Sequence, residues 1–132
     1  MAEGTAPQTT VLMIDDETNA RKIAKLLLER EGFRVLTAAN GEEGLILAKV
    51  ERPQVILLDV NMPKMNGFET LKRLRDDQDT SDIPVIMVTA RGTEHDIATS
   101  FRLGAIFHIE KPYETQDLLQ KLQVALRRPD SP

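Results

Sequence analysis

Residues Val55–Pro63 read VILLDVNMP, and this stretch gives the clearest indication of the fold. Four branched apolar residues lead without a break into Asp59, a pattern typical of a strand that is covered on both faces. Similar apolar runs occur at Val11–Ile14, Val35–Ala38, Val85–Val88 and Ile106–Ile109. The segments between them carry apolar residues at helical spacing. This alternation predicts five strand–helix units, and therefore an α/β fold with a parallel sheet and helices on both faces.

The predicted helices have recognisable beginnings and buried faces. Asn40 with Glu43, Asn66 with Glu69 and Thr93 with Asp96 each resemble an N-cap followed by an acidic residue. Gly32 lies where the first helix is expected to end. The expected core stripes are Ala20, Ile23, Ala24 and Leu27; Phe68, Leu71 and Leu74; Ile97, Ala98 and Phe101; and Leu118, Leu119, Leu122 and Leu126.

Composition excludes several classes of function. The chain has 132 residues with 17 Lys and Arg against 21 Asp and Glu, and a net charge of −4 argues against a general nucleic-acid binder. The absence of cysteine excludes disulfides, thiolate zinc sites and cysteine nucleophiles. No apolar run is long enough to cross a membrane and Met1–Thr10 lacks the features of a signal peptide, so we expect a cytoplasmic protein. We expect one domain at 10–128, a flexible tail at 1–9, and a tail or linker stub at 129–132.

Polar residues follow the predicted strands, where a doubly wound sheet binds its ligands. They are Asp15, Asp16 and Glu17 after the first strand, Asp59 after the third, Thr89-Ala90 after the fourth and Lys111-Pro112 after the fifth. Clustered carboxylates stay ionised when a cation joins them, and oxygen ligands suit Mg²⁺. Lys111 and the Thr89 hydroxyl would then face an anion recruited by the metal. This set of groups predicts a phosphoryl-transfer site.

Each of these residues also has a simpler interpretation when it is taken alone. Asp15 or Asp16 could cap the first helix, and Asp59 could be a turn residue. Thr89 is a β-branched residue at home in a strand, and Lys111-Pro112 could be an ordinary turn. Their joint placement at four strand ends favours a site.

From about Thr10 to Arg128 the chain resembles a response-regulator receiver domain, the phosphoacceptor module of two-component signalling. The motifs that carry the resemblance are VLMIDD at 11–16, VILLDVNMP at 55–63 followed by Asn66-Gly67, PVIMVTA at 84–90, and Gly104-Ala105 leading to Glu110-Lys111-Pro112. The resemblance implies a flavodoxin-like (βα)5 sandwich with strand order 2-1-3-4-5. It implies a signalling module rather than an enzyme acting on other molecules.

The resemblance also implies the roles of the acidic residues. Asp59 would accept a phosphoryl group from the phosphohistidine of a sensor histidine kinase or a histidine phosphotransfer protein. Asp16, Asp59 and the backbone carbonyl of Asn61 would bind Mg²⁺ directly, and Asp15 would act through a water molecule.

Further roles follow for the groups around the phosphoryl position. Lys111 would pair with a phosphoryl oxygen, and the peptide bond between Lys111 and Pro112 is expected to be cis. Thr89 would swing towards the phosphoryl group, and the backbone N–H of Ala90 would add a donor. An aromatic residue on the fifth strand would then fill the vacated space. The surface of the fourth helix, fifth strand and fifth helix would change for an output protein or a covalently linked effector domain.

The sequence departs from the commonest pattern at the switch position, where His108 replaces Tyr or Phe. We favour the interpretation that His108 is a small aromatic substitute. A sharper hypothesis is that burial disfavours protonation of His108, so that low pH weakens the active state. Phosphorylation-linked dimerisation or partner binding that stays flat between about pH 5.5 and 8 would rule it out.

Two further departures concern assembly and phosphate lifetime. Ile106-Phe107 stands where many DNA-binding regulators carry acidic residues, which argues against their ionic dimer. We therefore expect a monomer or a phosphorylation-dependent dimer, and no nucleic-acid binding or membrane binding by this domain. Asn61 and Arg91 occupy positions that tune phosphate lifetime in the family.

Three alternatives compete with the phosphoacceptor. One is a receiver-like scaffold that works without phosphorylation. Another is a small Mg²⁺-dependent phosphatase of the haloacid-dehalogenase type, which needs Asp-x-Asp where this chain has Asp15-Asp16-Glu17. A flavodoxin-type nucleotide binder would need a Gly/Thr-rich phosphate loop after the first strand. The output remains open between a single-domain regulator and the receiver of a longer protein.

Overall fold

A computed structural model describes residues 8–90 and 93–127 of the chain. Strands and helices alternate from one end to the other, as the sequence predicts. The elements are β1 Thr10–Ile14, α1 Thr18–Arg30, β2 Arg34–Ala38, α2 Gly41–Glu51, β3 Val55–Asp59, α3 Gly67–Asp76, β4 Val85–Thr89, α4 Glu94–Arg102, β5 Phe107–Glu110 and α5 Thr115–Leu126. Arg91 and the predicted tails, except Gln8 and Thr9, lie outside the described residues.

The five strands form one parallel sheet in the order β2-β1-β3-β4-β5, which confirms the expected 2-1-3-4-5 topology. Ile14 pairs with Leu58, so Asp15 and Asp59 follow neighbouring positions of adjacent strands. Asp59 pairs with Val88. The carboxyl ends of all five strands therefore meet at one edge, as a doubly wound sheet requires.

The two faces of the sheet support two separate cores. Val11 and Met13 lie in the core covered by α1 and α5, which contribute Leu28 and Leu122. The alternate residues of β1 lie in the opposite core together with residues of α2 and α3. Every residue of β1, β3 and β4 is buried. This burial is the reason that these strands read as unbroken apolar runs.

The three predicted N-caps and the predicted end of the first helix are confirmed. The side chains of Asn40, Asn66 and Thr93 each accept a hydrogen bond from the backbone N–H three residues further on. The reciprocal bond that completes a capping box forms at Asn66, where the Glu69 carboxylate accepts from the Asn66 N–H. Gly32 follows α1 with a φ of +94°, a conformation that costs glycine little.

The predicted buried stripe of α1 is partly wrong. Ala24 and Leu28 are the fully buried residues of the helix, whereas Ile23 is 54% exposed. The helix packs on the sheet through positions four residues apart, Ala24 and Leu28. Its buried face is therefore rotated away from Ile23.

The predicted stripe of α4 is also wrong. Its fully buried residue is Ser100, while Ala98 is exposed and Phe101 is 48% exposed. The Ser100 hydroxyl donates to the Asp96 carbonyl one turn earlier at 3.0 Å, so the serine is buried with its hydrogen bond made. A pattern of apolar residues does not predict that a serine at this position is buried.

Among the helices of the described residues, none combines the length and apolar character needed to cross a bilayer.

Candidate functional site

Three carboxylates converge at the carboxyl-terminal edge of the sheet. Asp15 and Asp16 follow β1, and Asp59 is the last residue of β3. One carboxylate oxygen from each lies within 4.8 Å of the other two. Asp15 is completely buried and Asp59 is 4% exposed, whereas Asp16 faces solvent. Two buried acids beside an open one form a half-enclosed pocket of negative charge.

Lys111 enters this pocket from the loop after β5. The Lys111 ammonium lies 2.7 Å from Oδ2 of Asp15 and 3.8 Å from Oδ1 of Asp59. It also lies 3.8 Å from Oε1 of the exposed Glu17. Burial opposes the charge on Lys111, but the hydrogen bond to Asp15 and the negative charges of Asp59 and Glu17 together raise its pKa above the ordinary value. Lys111 is therefore cationic at neutral pH.

The electrostatics of the pocket leave Asp59 incompletely compensated. Burial, followed by the charge of Asp15, raises the pKa of Asp59 from 3.8 to about 7. The positive charge of Lys111 and a backbone hydrogen bond from Asn61 oppose this rise without cancelling it. An added cation would favour the ionised form of Asp59.

The loop after β1 is fixed by hydrogen bonds of its own. Oδ1 of Asp15 accepts from the backbone N–H of Glu17 at 2.9 Å. The Arg21 guanidinium on α1 donates to the backbone carbonyl of Asp15 at 2.7 Å. The second carboxylate oxygen of Asp15 thus remains directed at Lys111, and Asp15 is held in a defined position.

Gly67 allows the start of α3 to reach the site closely. A Cβ atom at this position would collide with the backbone carbonyl of Asp59. The Gly67 N–H donates to the carbonyl of Val60 at 2.8 Å. Sequence reasoning identified Asn66-Gly67 as part of a motif and missed this contact. The sequence feature that could have indicated this contact is a glycine directly after a capping asparagine.

Thr89 lies at the end of β4, beside the acidic residues. It is completely buried, and its hydroxyl accepts a hydrogen bond from Nδ2 of Asn61 at 3.1 Å. Its backbone carbonyl accepts from the N–H of Lys111 at 2.6 Å. Ala90 follows and is exposed. The sequence predicted a role for the backbone of Asn61, whereas the contact of its side chain with Thr89 was missed.

The peptide bond between Lys111 and Pro112 is cis, as expected. The structure therefore brings Asp15, Asp16, Asp59, Asn61, Thr89 and Lys111 together at one edge of the sheet.

His108 is placed apart from this group, on β5. It pairs with Met87, which lies in the core beneath α2 and α3, so His108 points to that face of the sheet. Its Nε2 atom is buried and makes no hydrogen bond within the described part of the chain. Burial lowers the pKa of His108, although the charges of Asp96 on α4 and Glu110 on β5 act in the opposite direction. Burial thus favours the neutral form of the imidazole.

Comparison with known proteins agrees with this arrangement. The sequence pattern of the response regulator receiver domain matches residues 11–123. The transcriptional regulatory protein CpxR of Escherichia coli (strain K12) is 42% identical over 118 residues, covering 89% of this chain and 49% of CpxR.

Solved structures show the same fold. The chemotaxis protein CheY4 of Vibrio cholerae superposes with a TM-score of 0.86 at 34% identity, over 91% of this chain and 100% of CheY4. A CheY-like receiver domain protein from Methanospirillum hungatei JF-1 gives a TM-score of 0.85 at 32% identity, over 91% of this chain and 94% of that one.

A five-stranded parallel sheet with an acidic pocket and one lysine at its carboxyl edge defines a signalling receiver, and the chain belongs to the response regulator receiver domain family. Domains of this family generally serve signalling rather than catalysis. The chain spans about half the length of the curated relatives that it matches.

Proposed function

We propose that the chain is the phosphoacceptor of a two-component phosphorelay and that Asp59 takes the phosphoryl group. The observation that carries the proposal is the convergence of Asp15, Asp16 and Asp59 on the single ammonium of Lys111. Among the described residues there, three carboxylates face one ammonium, and Asp59 lies beside the buried Asp15 and the exposed Asp16. The donor is a sensor histidine kinase or a histidine phosphotransfer protein.

The donor set suits Mg²⁺ as the cofactor. Asp16, Asp59 and the backbone carbonyl of Asn61 would bind the ion directly, and Asp15 would act through a water molecule. All of these ligands are oxygen atoms, which a hard divalent cation prefers, and the exposed Asp16 leaves room for coordinated water. Bound Mg²⁺ supplies the positive charge that offsets the carboxylates and an incoming phosphoryl group.

The residues of the chain then have distinct tasks in the transfer. An oxygen of Asp59 attacks phosphorus and forms an acyl phosphate, while the P–N bond of the donor breaks and its electron pair returns to the imidazole. Lys111 pairs with a phosphoryl oxygen from its position 3.8 Å from Asp59. The Thr89 hydroxyl and the Ala90 N–H donate to the remaining oxygens.

The output follows from the new charge on Asp59. Movement of Thr89 towards the phosphoryl group opens space beside His108, and the face formed by α4, β5 and α5 changes for its reader. That reader is an output protein or an effector domain of a longer chain, as in the transcriptional regulators that this chain resembles. The domain acts as a monomer or as a phosphorylation-dependent dimer.

Intact mass tests the proposal directly. The protein is incubated with acetyl phosphate, with Mg²⁺ or with EDTA, alongside Asp59→Asn and the control Asp76→Asn, an exposed acid at the far end of α3. Wild type and the control should gain one phosphoryl group in Mg²⁺ alone, and Asp59→Asn should gain none. A gain in Asp59→Asn equal to that of wild type would contradict the assignment. No gain in any protein, together with intact Mg²⁺ binding, would favour a scaffold that works without phosphorylation.

A further inference from the structure

The side chain of Asn61 connects two neighbouring strands at the site. Asn61 lies two residues beyond the end of β3, and its Nδ2 atom donates to Oγ1 of Thr89, the last residue of β4, at 3.1 Å. Asn61 is exposed while Thr89 is completely buried. The carboxamide therefore reaches inwards from an open loop to a hydroxyl that water does not reach.

Thr89 is also joined to the lysine of the pocket. Its carbonyl accepts from the Lys111 N–H at 2.6 Å, and the Lys111 ammonium donates to Asp15 at 2.7 Å. Hydrogen bonds thus link Asn61 to the Thr89 side chain, the Thr89 backbone to the Lys111 backbone, and the Lys111 side chain to Asp15. The same ammonium lies 3.8 Å from Asp59, so this series borders the proposed phosphoacceptor.

We propose that the Asn61 carboxamide is a positioning residue that couples the loop after β3 to the Thr89 hydroxyl. A hydroxyl has one donor and two acceptor sites, so the bond from Asn61 restricts the direction in which the Thr89 proton can point. Through this bond, the Asn61 side chain would shift the Thr89 hydroxyl when the Asn61 carbonyl binds a cation, before any phosphoryl group arrives. This inference rests on the proposed function, because it requires the metal site of that function.

The hydrogen bond can be tested without metal. In EDTA, the Thr89→Val variant removes the acceptor and keeps the shape of the side chain. The side-chain amide resonances of Asn61 should shift in this variant. They should stay in place in the control Thr80→Val, which removes another buried hydroxyl, bonded to the carbonyl of Leu74. Unchanged Asn61 resonances in Thr89→Val would overturn the proposal.

The coupling can be tested with Mg²⁺ in an NMR titration. Asn61→Leu keeps the backbone carbonyl and the approximate shape but removes the donor. Mg²⁺ should move the amide resonances of both Asp59 and Thr89 in wild type. In Asn61→Leu, the shift at Asp59 should persist and the shift at Thr89 should fall by more than about half. An undiminished shift at Thr89 would contradict the coupling, and no shift at Asp59 in wild type would overturn the metal site and the coupling with it.

Phosphorylation rates give a further test through a double-mutant cycle. Loss of one hydrogen bond should slow phosphorylation by acetyl phosphate about fivefold in Asn61→Leu. Thr89→Val should slow it at least as much, and the double variant should be no slower than the worse single variant. Strictly multiplicative losses would show that the two side chains act independently. A faster Asn61→Leu would show that the bond restrains Thr89 instead of positioning it, and either result would overturn the proposal.

Discussion

The two ends of the sheet accommodate buried polar groups in opposite ways. At the amino-terminal end, the Arg75 guanidinium donates to backbone carbonyls, and the buried hydroxyl of Thr80 does the same. The acceptors are Ser81 at 3.0 Å, Ile83 at 2.9 Å and Gly104 at 3.0 Å for Arg75, and Leu74 at 2.7 Å for Thr80. These bonds tie the end of α3 to the starts of β4 and β5, and the four acceptors are neutral backbone carbonyls.

At the carboxyl-terminal end, charge is left unbalanced. Asp15 and Asp59 are buried, and Lys111 is the cation that reaches both of them. The raised pKa of Asp59, about 7, is the direct consequence. The amino-terminal end of the sheet therefore stabilises the fold. The carboxyl-terminal end destabilises it, because its buried carboxylates need an added cation to balance their charge.

The largest expected effect comes from removing Lys111, the cation that contacts both buried acids among the described residues. Lys111→Met leaves the completely buried Asp15 without its partner, and we expect a loss of about 3 kcal/mol in the free energy of unfolding in EDTA. Urea denaturation near pH 8 measures this loss. Saturating Mg²⁺ should recover part of it, because the ion returns positive charge to the pocket.

The matched control is Lys72→Met, which removes an exposed ion pair with Asp76. That pair should contribute less than about 0.5 kcal/mol. Equal stability of the Lys111 and Lys72 variants in EDTA would show that the buried pair at the carboxyl edge is not what balances Asp15.

A smaller and metal-independent effect is expected at the opposite end. Arg75→Met removes the guanidinium that bonds three backbone carbonyls, and we expect a loss of about 2 kcal/mol. Arg75→Lys should lose nearly as much, since an ammonium cannot reproduce the planar fork. Urea denaturation in EDTA and in Mg²⁺ should give the same loss. A loss of stability that differs between EDTA and Mg²⁺ would show that the amino-terminal end of the sheet is not independent of the metal site.

The sequence predicts the contacts at the carboxyl-terminal end of the sheet better than the contacts of Arg75 at the amino-terminal end. Asp15 and Asp59 follow apolar runs, and the topology of a parallel sheet alone brings such positions together. The bonds of Arg75 to Ile83 and Gly104 join residues 8 and 29 positions away, and nothing in a pattern of apolar residues marks them.

Helix faces and side-chain contacts were predicted less well than strands. Ile23 is exposed and Ser100 is buried, because the angle at which each helix meets the sheet depends on tertiary packing. The bond from Asn61 to Thr89 depends on the conformation of the loop after β3. Motif spacing predicts the backbone of Asn61 as a ligand, but it does not give the direction of its side chain.

Ionised Asp59 should oppose folding until a cation binds beside it, and a comparison of wild type with Asp59→Asn measures this effect. Free energies of unfolding of wild type and Asp59→Asn are measured in EDTA from about pH 5 to about pH 8. Because folding raises the pKa of Asp59, its stabilising contribution is complete below the unfolded pKa and is lost as the pH rises through about 7. Wild type should therefore lose stability relative to Asp59→Asn across this range. Near pH 8 the variant should be the more stable protein by about 1–2 kcal/mol. A variant that is less stable than wild type near pH 8, with a difference that does not change with pH, would contradict the account.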